Sequence, residues 1–115
     1  MNTENMPKSL KTFPREKAFY FFTSIGNYTG ISAASLNEFV ERISEVNVKS
    51  LEFHLYRGDF EKWMAEVVRD DELSNEVKRL QKFNLMGDAL RNQLSAVVSK
   101  RLKRLTGQLG PSRFQ

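Results

Sequence analysis

His54 is the only histidine in the chain, and with Arg57, Asp59 and Trp63 it forms the densest grouping of residue types able to do chemistry. On a helix His54 and Arg57 fall at i and i+3 and lie side by side, with Asp59 to one side of the pair. Two readings of the group stand together. In one, it is a small polar pocket for an anion or a carbohydrate-like ligand beside an aromatic ring, a small-molecule binder or an enzyme. In the other, the polar residues make a local ion pair and the tryptophan belongs to the core. A metal centre needs three or four converging ligands, and no H-x-x-x-H or H-E-x-x-H pairing exists, so no metal is expected at His54. Acid/base catalysis would require a second base or carboxylate at a defined distance.

The second grouping is electrostatic. Lys100-Arg101-Leu102-Lys103-Arg104 places Lys100, Lys103 and Arg104 on the outside of a helix while Leu102 and Leu105 pack inward. With Arg91 and Arg113 these side chains suit phosphate contacts, which give affinity without sequence selectivity. The competing reading is a solvated helix end whose cations offset the helix dipole. The net charge of +4 conceals an uneven distribution: residues 1–30 carry +2, residues 31–80 carry −4 and residues 81–115 carry +6. A mildly acidic body with a basic last third attracts an anionic partner, either a protein or a nucleic acid.

Composition removes several classes. There is no cysteine, hence no disulfide framework, thiolate site or thiol nucleophile. Neither G-x-x-x-x-G-K nor G-x-G-x-x-G occurs, so no phosphate loop and no nucleotide cofactor are expected. A serine nucleophile would need a histidine partner and a strand-turn-helix elbow, and neither is predicted. No apolar run approaches the roughly 18–20 residues that span a bilayer. The polar start from Met1 to Lys17 does not read as a secretory leader, so a cytoplasmic location without membrane attachment is expected.

Helices must position these groups. Ser35-Leu36-Asn37-Glu38 is a capping box, and Leu36, Phe39, Val40 and Ile43 follow on one helical face. Phe53, Tyr56, Phe60, Trp63 and Val67 recur at alternating spacings of 3 and 4, a stripe widened by Leu51, Leu55, Met64 and Val68, which predicts a buried face on a helix from about Lys49 to Arg69. A break at Gly58 with Asp59 capping a second helix is the alternative. Asp70-Asp71-Glu72 opens a third helix with Leu73, Val77 and Leu80, and a last one carries Leu90, Leu94, Val97, Val98, Leu102 and Leu105. Lys17 to Thr23 reads as a short strand or an extended aromatic segment, and Gly26-Asn27 and Thr29-Gly30 mark a turn after it.

Three stretches carry a family resemblance: F-Y-F-F-T-S-I-G-N-Y-T-G at 19–30, S-L-N-E-F at 35–39, and S-L-E-F-H-L-Y-R-G-D-F-E-K-W-M at 50–64 followed by D-D-E-L at 70–73. In these the chain resembles an uncharacterised family of small archaeal and bacterial domains with an F-H-x-x-R-G-D-F-x-x-W segment. The resemblance implies a compact helical module, sometimes found near or attached to sugar-active enzymes.

The sequence thus predicts a mainly all-α fold, four or five helices in a small bundle with an extended aromatic N-terminal segment. Residues 1–16 form a flexible arm, 17–106 a single helical domain and 107–115 a tail. The expected function is a non-enzymatic binding module that engages an anionic partner or assembly through Arg91, Lys100, Arg101, Lys103 and Arg104. The alternatives are a nucleic-acid or ribonucleoprotein binder using the same residues, and the pocket of His54, Arg57, Asp59 and Trp63.

Overall fold

The aromatic run that opens the domain is a strand. In the computed structural model, which describes residues 10–107, Phe19–Ser24 (β1) pairs antiparallel with Asn27–Ala33 (β2). Five helices follow: Leu36–Ile43 (α1), Val48–Arg57 (α2), Asp59–Glu66 (α3), Asp71–Arg79 (α4) and Gly87–Gly107 (α5). The expectation of a mainly all-α bundle is therefore corrected: the fold is mixed, helices plus a two-stranded sheet. Alternation is the physical cause. Phe19 and Phe21 are buried while Tyr20 and Phe22 are only half-buried, the period of two that a pleated strand imposes.

The predicted Thr29-Gly30 turn lies inside β2. The chain reverses at Ile25-Gly26, at the first of the two expected glycine positions, where Gly26 takes a φ of 78°. Gly30, at φ 86°, marks a bulge: pairing runs Tyr20↔Ser32 and then Phe22↔Tyr28, so β2 carries extra residues between the two pairs. Thr29 bridges the irregularity, its hydroxyl donating to Phe21 O (2.7 Å) and accepting from Ile31 N–H (3.1 Å). An isolated hairpin is marginal in water; this one is covered by α2 lying against β1 and α1 against β2.

Helix α1 starts as its capping box requires. Ser35 Oγ accepts from Glu38 N–H at 3.0 Å, while the Glu38 carboxylate reaches one residue beyond the cap to accept from Ala34 N–H at 2.8 Å. The predicted long helix is broken. Gly58, at φ 82°, closes α2 and precedes α3, and its N–H bonds back to Leu55 O at 3.1 Å. The break also moves the buried face. Of the Phe53, Tyr56, Phe60, Trp63 and Val67 stripe only Phe60 and Trp63 are buried, and Tyr56 is 40% exposed, whereas the residues that widen it, Leu51, Leu55, Met64 and Val68, are all buried. In α2 the core face is Leu51, His54 and Leu55. The physical reason is the turn at Gly58, which gives each short helix its own azimuth so that one stripe cannot run through both.

Phe19 sits at the centre, with ring centroids 5.0 Å from Phe60, 5.7 Å from Trp63 and 4.8 Å from His54. Leu90, Leu94, Val98 and Leu105 of α5 close the other side of a single core. Of the expected N-terminal arm, residues 1–9 lie outside the described residues, whereas Leu10 and Phe13 pack on the core, Phe13 edge-on to Trp63 at 6.0 Å. Beyond Gly107, the expected tail also lies outside the described residues.

A Cβ at Gly58 would meet only the flexible end of Glu61, at 3.7 Å, so space is no obstacle there. The left-handed backbone is. Gly58→Ala is expected to lower stability by about 1 kcal/mol, read by urea denaturation, with Gly58→Asn recovering part of the loss.

Candidate functional site

His54 is carried inward by the second turn of α2 and is 5% exposed. Phe22 N–H of β1 donates to its Nε2 at 2.8 Å, and its Nδ1 lies 2.8 Å from Asp59 Oδ2 on the first turn of α3. A backbone N–H can only donate, so Nε2 is the acceptor and Nδ1 carries the proton given to Asp59. The geometry selects a neutral ring. Burial lowers the imidazole pKa from its ordinary 6.5, the hydrogen bond and charge of Asp59 pull the other way, and Arg57 adds to the lowering.

Arg57 Nε donates to the same Asp59 oxygen at 3.0 Å, and its guanidinium lies 4.9 Å over the Phe53 ring. His54, Arg57 and Asp59 are thus brought together. Trp63 is not part of this network: its indole Nε1 donates to Lys17 O at 2.8 Å and its ring stacks on Phe39 at 5.4 Å. An open groove of about 220 Å³ between the hairpin tip and α2 is lined by Phe22, Ile25, Phe53, His54 and Arg57 among others. Both imidazole nitrogens are already engaged, which leaves no free lone pair for a general base. The arrangement joins β1, α2 and α3. Among the described residues no group of three or more metal-ligating side chains converges.

The basic set divides differently from the expectation. Arg91 Nη1 donates to Ile43 O and Val46 O, both at 2.8 Å, and closes the end of α1. Arg101 grips Asp70 with two bonds, Nε to Oδ2 at 2.7 Å and Nη2 to Oδ1 at 3.1 Å, and reaches Glu72 at 3.2 Å. Arg104 pairs with Glu72 at 2.9 Å. Of the expected basic set, only Lys100 and Lys103 stay exposed without an ion-pair partner among the described residues.

Sequence reasoning missed two features. Asp70, buried, caps α4 by accepting from Leu73 N–H at 3.0 Å while it holds Arg101; its place in the acidic run announced the cap and nothing announced the arginine. A second cationic surface gathers where α4 ends. Lys78, Arg79 and Lys82, with Asn75 and Gln81, line an open groove of about 410 Å³, and none of the three cations meets a carboxylate at ion-pair distance among the described residues. The signal for it was the i, i+1, i+4 spacing of these residues.

The described residues therefore define a small mixed α/β domain, a two-stranded hairpin packed on five helices, with a buried histidine junction and a cationic groove on its surface. Residues 14–109 match the family described as "Family of unknown function (DUF5752)", and the chain belongs to that family. No curated protein and no solved structure matches the chain. No described helix is long and apolar enough to cross a membrane.

The histidine junction has a pH signature. With the folded pKa below the unfolded value of about 6.5, the unfolded chain takes up a proton first as pH falls. The stability contributed by the neutral ring is therefore complete above that value and is lost as pH drops towards the folded pKa. Urea midpoints should fall between about pH 7 and about pH 5.5, and His54→Gln should flatten that slope, since no other histidine titrates there.

Ion pairing makes the two classes of cation separable. Arg101→Ala leaves the Asp70 carboxylate buried without its counter-charge and should cost about 3 kcal/mol. Lys103→Ala, at an exposed site, should change stability by less than about 0.5 kcal/mol in the same denaturation assay.

Proposed function

We propose that this domain is a non-enzymatic interaction module that engages an anionic partner. The observation that carries the reading is the distribution of unspent positive charge. Arg91 and Arg101 are engaged within the fold and the half-exposed Arg104 pairs with Glu72, so an approaching anion would have to displace hydrogen bonds and ion pairs that join α1, α4 and α5. Lys78, Arg79 and Lys82 carry no such obligation, and they surround one open groove. Cations clustered in a concave site raise the local concentration of an anionic ligand. Exposed Lys100 and Lys103 contribute to the field without forming a site of their own.

The experiment is a salt titration of polyanion binding. Poly-L-glutamate and an oligothymidylate of matched charge are titrated into the domain at low ionic strength, then with rising salt. Binding should weaken steeply with salt, as surface charge contacts are screened and counterions released. Lys78→Glu combined with Lys82→Glu should abolish it, and Lys100→Glu combined with Lys103→Glu should weaken it only slightly. Absence of binding by either polyanion at low salt would remove the reading.

A further inference from the structure

Beside the cationic groove lies an apolar one, and the local helix type explains why they adjoin. After α4 the chain tightens into a 3-10 turn, Leu80–Phe83, in which residues three apart eclipse. Arg79 and Lys82 thus share one edge, while Leu80 and Phe83 share the next. The apolar edge continues with Leu85 and Gln93 to enclose about 270 Å³. That is below the roughly 300–1,000 Å³ of small-molecule sites and suits a single inserted side chain.

The apolar residues here are unusually open to water for a segment held so firmly. Phe83 is 67% exposed and Met86 60%. The segment that carries them is nevertheless tied down at three points, Leu85 and Gly87 through the backbone and Gln81 through its side-chain amide. Gln81 donates to Leu55 O and to Glu61 Oε1, both at 2.8 Å, Tyr56 Oη donates to Leu85 O at 2.6 Å, and Gly87 N–H donates to Glu52 Oε2 at 2.8 Å. A preformed surface loses little conformational freedom when it is covered, which favours binding.

Resting on the reading of an anionic partner, we infer that this surface takes an acidic amphipathic segment of a partner protein. One aromatic or aliphatic side chain of the segment enters the cleft between Leu80, Phe83 and Leu85, and its carboxylates lie against Lys78, Arg79 and Lys82. Charge complementarity fixes the orientation. Glu52 and the exposed Asp88 flank the far end at Gly87, so the acidic residues of the segment belong on the Lys82 side alone. A nucleic-acid strand would use the cations and leave the Leu80–Phe83 edge uncovered.

The test compares three probes by NMR titration of the whole chain: a synthetic peptide with Leu at i, i+3, i+4 and i+7 and Glu elsewhere, poly-L-glutamate of equal length, and an oligothymidylate. The amphipathic peptide should shift the amide signals of residues 78–86 and bind more tightly than poly-L-glutamate. Phe83→Ala should weaken that peptide roughly ten-fold while leaving poly-L-glutamate unchanged, and Lys82→Glu should weaken both. Because the Phe83 side chain is largely exposed, its truncation should leave the melting temperature near that of the parent, which serves as the folding control. Equal binding of peptide and poly-L-glutamate, both insensitive to Phe83→Ala, would overturn the inference and leave the anionic-partner reading standing. Tighter binding of oligothymidylate would overturn it in favour of nucleic acid. Signals of residues 78–86 that shift with protein concentration alone would assign the surface to a second copy of this chain and overturn it as well. No binding of any probe at low salt would remove both readings together.

Discussion

A neutral imidazole, buried among aromatic rings and hydrogen-bonded at both nitrogens, is the constraint on which the arrangement of the hairpin and the two central helices depends. The ring of His54 lies 4.8 Å from Phe19, 5.0 Å from Phe53 and 5.6 Å from Phe60. In such surroundings a cation is expensive to hold, and a neutral ring left without partners would forfeit its bonds to water. Both demands are met at once by Phe22 N–H on one side and Asp59 on the other. One side chain therefore ties β1, α2 and α3 together, and each partner comes from a different element. Asp59 is held in turn by Arg57, which stands over the Phe53 ring.

Asp70 plays a comparable part at the other end of the molecule. Its carboxylate terminates α4 through Leu73 N–H and simultaneously receives the guanidinium of Arg101, so a helix cap and an interhelix ion pair share two oxygens. A buried pair of this kind contributes little net stability compared with apolar packing, but it specifies which turn of α5 faces the start of α4. The consequence for function is subtraction. Arg91 and Arg101, which look like part of a basic binding surface in the linear sequence, are engaged within the fold, and a cluster of cations without ion-pair partners among the described residues lines a groove at the end of α4, some twenty residues earlier in the chain.

That turn combines firmness with exposure. Short 3-10 geometry puts cations and apolar side chains on neighbouring edges, and bonds from Tyr56, Gln81 and Glu52 keep it in place. Tyr56 is also where the predicted aromatic ladder leaves the core. Its ring is exposed instead and its hydroxyl donates to Leu85 O, because the break at Gly58 turned the apolar face of α2 towards Leu51 and Leu55.

Much of the local structure was legible residue by residue. Ser35 and Glu38, Asp70 and its acidic neighbours, and the apolar spacing of Leu90 to Leu105 each act over four residues or fewer along the chain, where hydrogen-bonding reach and the 3.6-residue period decide the outcome. The hairpin was less legible, since its aromatic run fits a strand or an extended segment equally until Asn27–Ala33 pairs with it. Which face of α2 turns inward, which carboxylate Arg101 meets and whether His54 keeps a free nitrogen were not encoded in local spacing at all. The residues that settle them, Phe19 and Phe22 on the hairpin and Asp70 thirty-one positions from Arg101, are remote in sequence. Local hydrogen bonding and periodicity belong to the sequence by itself; the choice among equally periodic faces and equally charged partners belongs to the tertiary structure, because only close packing brings distant groups within reach and forces each buried polar atom to take one partner.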